Sequence, residues 1–174
     1  CRLGFIGGSD THAAWPGSSV IEEGGLLQYS SGLTCVLATA LNRQELFSAI
    51  FNRKCYATTG PRIFMEFFVN GKPMGEEIIL SAGEQAQIKA RVAFVSESGM
   101  VEIIRNNKIV ASFTGEREIN IKWTDPTPVE EHLLKPSYRR NDGCPFTYYY
   151  LRVIQDDKEM AWGSPVWFIS RGGE

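Results

Sequence analysis

The sequence has no Cys-x-x-Cys pair, only two histidines, and no apolar run near the roughly 20 residues that a membrane-spanning helix needs. The four cysteines, at 1, 35, 55 and 144, form no dense framework and read as reduced, mostly buried thiols. Cys35 stands in the apolar stretch 33–38 and Cys55 beside Tyr56, settings for small core residues. A cysteine nucleophile would want a histidine partner, and neither His12 nor His132 is placed to be one. Charge of one sign is also lacking: the net value is −2 with both signs scattered. No basic face is announced, which removes the electrostatic term that a nucleic-acid or anionic-membrane partner relies on. There is no secretory signal either. Because the chain starts at Cys1 and enters an apolar run at once, as a cut from a longer polypeptide would, the compartment is not legible.

What is present is an apolar content of 43% over 174 residues, enough for one good core or a small domain plus an extra segment. Residues 2–6 read as a strand, and 13–32 as a loop rich in Gly, Ser and Pro. The apolar run 33–38 follows, and then the clearest helix, over 43–54. Asn42 is its expected N-cap, Glu45 the partner of a capping box, and Leu41 a staple onto Leu46. Leu46, Phe47, Ile50 and Phe51 recur at helical spacing, which predicts one buried face, and Arg53 and Lys54 suit the last turn.

After Gly60-Pro61 the period changes from 3.6 to 2. Nearly every residue of 63–69 is apolar, predicting a strand covered on both faces, and Asn70-Gly71 follows as a hairpin turn. Strict alternation over 87–94, a hairpin of 101–105 and 109–113 around Asn106-Asn107, and alternation over 119–123 continue the pattern. A polar loop with Pro126, Pro128 and Pro136 leads to the last strands, at 148–154, 160–162 and 166–169. Seven or eight strands with no helix between them indicate a mainly β fold, an immunoglobulin-like antiparallel β-sandwich. The chain thus divides into 1–61, with too few elements to enclose a core alone, and 62–174, close to the size of a self-sufficient sandwich.

The chemistry-bearing residues are few. In Gly7-Gly8-Ser9-Asp10-Thr11-His12, a strand ending in small residues would let Asp10 and His12, two apart, converge on one cation. The plainer alternative is that Ser9 or Asp10 caps a short turn and His12 lies on the surface. Arg62 could present a guanidinium to a phosphate, with Thr58 and Thr59 as hydroxyl donors, or the three could merely satisfy a linker turn. Tyr56 would either project toward a site or pack against Phe51. His132, Arg139 and Arg140 read as solvated loop residues.

Taken together, Gly8-Ser9-Asp10-Thr11-His12, the segment Arg53 to Arg62, Val69-Asn70-Gly71-Lys72-Pro73-Met74-Gly75, Tyr150-Leu151-Arg152-Val153 and Trp162-Gly163-Ser164-Pro165 give a resemblance covering almost the whole chain. The sequence resembles the C-terminal portion of a PHP-type metal-dependent hydrolase, the polymerase and histidinol phosphatase superfamily, in the branch where a β-sandwich follows the barrel. The resemblance implies that 1–61 is the end of a distorted α/β barrel and that Asp10 and His12 are two ligands of a site for two or three divalent ions, whether zinc, manganese or iron. The remaining His-x-His and Glu/His ligands would lie in an upstream barrel, and a small phosphorylated substrate would be the partner. Without those ligands no hydroxide can be positioned, so the chain alone is expected to be inactive and to hold metal weakly or not at all.

Two other classes compete. The sandwich could be a binding module for carbohydrate or protein, with Trp123, Tyr148, Tyr150 or Trp167 as an exposed platform. It could also be a structural buttress that self-associates as a homodimer, since the apolar faces of 2–6, 33–38 and the helix must find cover.

Overall fold

The computed structural model describes residues 2–9, 31–135 and 144–171, and within them the fold is mainly β. Ten strands and one α-helix follow in the order β1 (Leu33–Val36), α1 (Arg43–Phe51), β2 (Cys55–Thr58), β3 (Phe64–Val69), β4 (Lys72–Pro73), β5 (Glu77–Ile79), β6 (Gln87–Arg105), β7 (Lys108–Thr124), β8 (Phe146–Gln155), β9 (Met160–Gly163) and β10 (Val166–Ile169). A 3₁₀ turn, Val129–His132, interrupts the link from β7 to β8.

The two walls of the expected sandwich belong to one continuous curled sheet. Four short strands were expected over 87–123, but the chain forms two long ones, β6 and β7, which serve both walls. The N-terminal half of β6 pairs with β3, from Phe64↔Ala93 to Val69↔Ile88, whereas its C-terminal half pairs with β8, from Gly99↔Gln155 to Arg105↔Tyr149. Between them the β6–β7 register shifts from Ala93 to Ser98, a bulge that bends the strand from one wall to the other. Met65, Phe67, Val69, Ile88 and Val92 then meet Val101, Ile103, Leu151, Val153 and Phe168 in one core.

The sheet runs across the 61/62 junction. β2 pairs with β9, Tyr56↔Gly163 to Thr58↔Ala161, and β1 pairs with β2, so residues 33–58 extend the same wall as β8. Tyr56 is buried in the core and donates its hydroxyl to the Ile63 carbonyl at 2.9 Å, so it does not project toward an open face. On the same side of β8 as β9, β10 runs antiparallel to β8 and parallel to β5.

The turn chemistry follows the sequence closely. Asn70 and Gly71 (φ +48° and +75°), and Asn106 and Asn107 (φ +50° and +65°), adopt the left-handed pairs that two-residue hairpins between twisted strands require. Asn42 caps α1, its Oδ1 accepting from the Glu45 amide at 2.9 Å. The rest of the expected capping box is absent, because Glu45 instead accepts from the Thr39 hydroxyl.

Four expectations need correction. Residues 2–6 are not a strand: the Phe5 amide donates to the Ser164 hydroxyl at 3.0 Å, and just beyond, the Thr34 hydroxyl accepts from the Gly7 amide and donates to the Gly7 carbonyl, both at 2.9 Å, so side chains stand where a neighbouring strand's backbone would. β3 is buried on one face only, with Phe64 and Phe68 outward and the Arg91 guanidinium lying over the Phe64 ring. The helix ends at Phe51, since Arg53 adopts φ +61°; its guanidinium then reaches the Gly75 carbonyl and the face of Trp167. Finally, α1 buries only Ala49, Leu41 is no staple, and Phe47, Ile50 and Phe51 face outward.

Candidate functional site

Asp10 and His12 lie outside the described residues, as do Arg139 and Arg140. The segment leading to Asp10 is nonetheless placed. Gly7 runs against the Leu33 backbone, where an added Cβ would come within 2.5 Å of the Leu33 carbonyl oxygen. Gly32 in turn faces Gly8 on one side and the Thr58 carbonyl on the other, its virtual Cβ 2.8 Å from the Gly8 oxygen and 3.3 Å from that of Thr58. Small residues are needed at both positions for three stretches of backbone to lie this close. The exit of residues 7–9 therefore sits at the end of β1 and β2, the same end from which Thr58, Thr59 and Arg62 emerge.

At that end the two hydroxyls are engaged within the protein. Thr58 is buried and its Oγ1 accepts from the Gly60 amide at 3.3 Å, tightening the turn. Thr59 Oγ1 donates to the Glu159 carboxylate and accepts from the Met160 amide at 2.9 Å, which extends the β2–β9 pairing by one residue. Arg62 is exposed on the turn that follows. Of the three tentative phosphate contacts, the guanidinium is the group that faces outward, while the threonines set the turn that carries it.

Among the described residues no group of three or more His, Cys, Asp or Glu stands close enough to hold a metal ion. An Asp and a His are apt ligands for a borderline divalent cation. Two ligands are one short of the usual minimum, so the set would need completion from outside the described residues.

A polar cluster that sequence reasoning missed lies under the loop after β7. Asp125 is 1% exposed; Arg105 Nη1 contacts its Oδ2 at 2.5 Å and Tyr149 donates to the same oxygen at 2.9 Å. Its Oδ1 accepts from the Thr127 amide at 3.1 Å and hydroxyl at 2.9 Å. Thr127 Oγ1 also meets His132 Nε2 at 2.6 Å, so His132 is a half-buried member of a network, not the exposed and inert residue expected. Burial raises the Asp125 carboxyl, but the hydrogen bonds from Thr127 and Tyr149 and the charge of Arg105 bring it below its ordinary value. Burial, then Arg105, lowers His132. The local signal was Asp125-Pro126-Thr127, a sequence suited to an Asx turn; Arg105 and Tyr149, far away in sequence, carried none. The cluster pins the loop to β6 and β8.

The aromatic residues considered as a platform are not fully exposed. Trp167 is buried under Arg53, Trp123 packs against the core, and Phe146, Tyr148 and Tyr150 form a half-buried ladder with ring centroids 6.2 and 6.4 Å apart, capped by Phe5 at 5.5 Å from Tyr150. An open bowl of about 540 Å³ lies over the β6–β7 bulge, lined by Ser98, Thr114, Glu116, Asp156 and Lys158 among others.

With this geometry in place, comparison with known proteins gives a profile and three relatives. A family profile described as a protein of unknown function (DUF3604) matches residues 18–94, a stretch that crosses the 61/62 junction. The chain is 39% identical over 148 residues to an uncharacterized protein of Chlamydia pneumoniae, covering 81% of this chain and 23% of that protein. It is 37% identical over 145 residues to one of Chlamydia trachomatis, covering 80% and 23%, and 34% identical over 172 residues to one of Chlamydia muridarum, covering 95% and 27%. The chain thus spans about a quarter of the length of these curated relatives. No solved structure matches it.

Proposed function

We propose that this chain is the C-terminal part of a PHP-type metal-dependent hydrolase acting on phosphoesters, contributing two metal ligands, Asp10 and His12, and a phosphate contact, Arg62. The observation that supports this reading most is the meeting of residues 7–9 with the end of β1 and β2, since the chain leaves Thr58 there for the turn that carries Arg62. The length of the relatives fits it, since three quarters of a longer chain is available to supply the missing ligands. The ions would activate water against the ester. On the protein side, Arg62 offers the charge and planar donors that hold a phosphate, and the buried Thr58 and half-buried Thr59 hydroxyls fix the turn that presents it.

Metal analysis of the full-length protein tests the reading. A bound divalent ion, present at more than one equivalent and lost in Asp10→Ala, is expected; a metal-free full-length protein overturns it. The 174-residue chain by itself is expected to turn over no phosphoester, and turnover by it that disappears in Asp10→Ala would overturn the claim that the other ligands are essential.

A further inference from the structure

Helix α1 carries an apolar face that nothing among the described residues covers. Phe47 is 69% exposed, Phe51 72% and Leu41 93%, with Ile50 also outward. The Phe47 and Phe51 rings stack one turn apart at 6.0 Å, so these side chains form a patch and are not scattered singly. The helix is also held in place with this patch turned out. Its start is capped by Asn42, its end is closed by the Asn52 and Arg53 amides on the Ser48 and Ile50 carbonyls, and the Leu37 amide bonds to the Lys54 carbonyl at 2.8 Å. Arg53 then anchors the exit to Gly75 and Trp167. Both ends are thus fastened with Phe47 and Phe51 turned outward.

We infer that this face is the docking surface for the remainder of the longer polypeptide to which the chain belongs, and not for a second copy. The curated relatives are about four times the length of the aligned stretch, and the alignment with the Chlamydia muridarum protein takes in 95% of this chain. Most of the polypeptide therefore lies elsewhere and is available as a cover. The size of the patch argues the same way. A stable dimer buries about 800 Å² on each partner, more than three side chains of a nine-residue helix and the Leu41 before its cap supply. A contact within one polypeptide needs no such area, because covalent linkage sets a high effective concentration. The occupant is a complementary apolar surface, such as the face of a neighbouring helix or sheet, and the inference requires a longer polypeptide but not the hydrolase reading.

Hydroxyl-radical footprinting of the full-length protein tests this, and metal content is irrelevant to its outcome. Phe47 and Phe51 are expected to lose reactivity about fivefold or more relative to a phenylalanine in an unfolded chain, because a buried ring presents little area to the radical. A smaller loss at either ring overturns the inference, and so does equal protection in the 174-residue chain by itself, which assigns the cover to residues of this chain. So does protection that fades on dilution, which assigns the face to a second copy.

Discussion

Arg105 Nη1 lies 2.5 Å from Asp125 Oδ2, and Tyr149, its cross-strand partner on β8, donates to that same oxygen. The carboxylate is almost fully enclosed, so its charge depends on Arg105 for compensation. Arg105→Leu would leave it buried and unpaired, and is expected to cost about 3–5 kcal/mol of unfolding free energy. Replacing both residues, Arg105→Leu with Asp125→Leu, should cost much less than Arg105→Leu alone, since no charge is then stranded. Urea denaturation of the single and double variants measures the difference.

The same cluster sets an acid limit on stability. The Asp125 carboxyl is held below its ordinary value, so the fold favours its carboxylate: the stabilisation is present above the unfolded value and is lost as pH falls through the folded one. His132 is lowered from 6.5, so the fold favours its neutral form, and that contribution too is complete above 6.5 and declines below it. Two windows of acid loss are expected, one beginning near pH 6.5 and one below about pH 4. His132→Gln should flatten the first and Asp125→Asn the second, read as midpoint temperature against pH.

What the sequence discloses and what it withholds divide along range. Asn42, Asn70-Gly71 and Asn106-Asn107 act on backbone within three residues of themselves, so cap and turns were legible. Phe64 and Phe68 in β3, and Phe47 and Phe51 in α1, look identical in pattern to buried residues, because an apolar side chain does not record whether its partner is present. The same limit applies to Leu3–Ile6, where the Phe5 amide bonds to the Ser164 hydroxyl in place of a strand ladder. The fusion of four strands into β6 and β7 turns on a bulge at 93–98 with no Gly-Asn or Pro signal to mark it as continuous. For the candidate site, residues 58–62 were legible as a turn, but the approach of Gly7 and Gly8 to it depends on packing against Gly32.

Gly75 is a second place where a single atom decides. It holds φ +91° and sits against the C-terminus of α1, where an added Cβ would lie 2.4 Å from the Asn52 carbonyl oxygen and 2.8 Å from Arg53 backbone. The neighbours are backbone and cannot swing aside. Gly75→Ala is expected to destabilise on the order of 1–3 kcal/mol from conformation alone. It should also raise amide exchange at Asn52 and Arg53, whose amides bond back into α1.

Arg62 offers the sharpest separation of chemistry from architecture at the candidate site. Its side chain is exposed, so Arg62→Ala should leave the unfolding midpoint of the chain unchanged within about 0.5 kcal/mol. Thr59→Val is the structural contrast: it removes a hydroxyl bonded to Glu159 and to the Met160 amide and should cost about 1–2 kcal/mol by loosening β2 from β9. In the full-length protein, loss of a hydrogen-bonded charge to a phosphate oxygen is worth ~1.5–3 kcal/mol, or roughly tenfold to a hundredfold in kcat/KM. Arg62→Lys should recover part of that loss, since it keeps the charge but not the planar fork. If Arg62→Ala instead lowers the midpoint as Thr59→Val does and leaves phosphoester turnover intact, Arg62 belongs to the turn and the phosphate role is wrong.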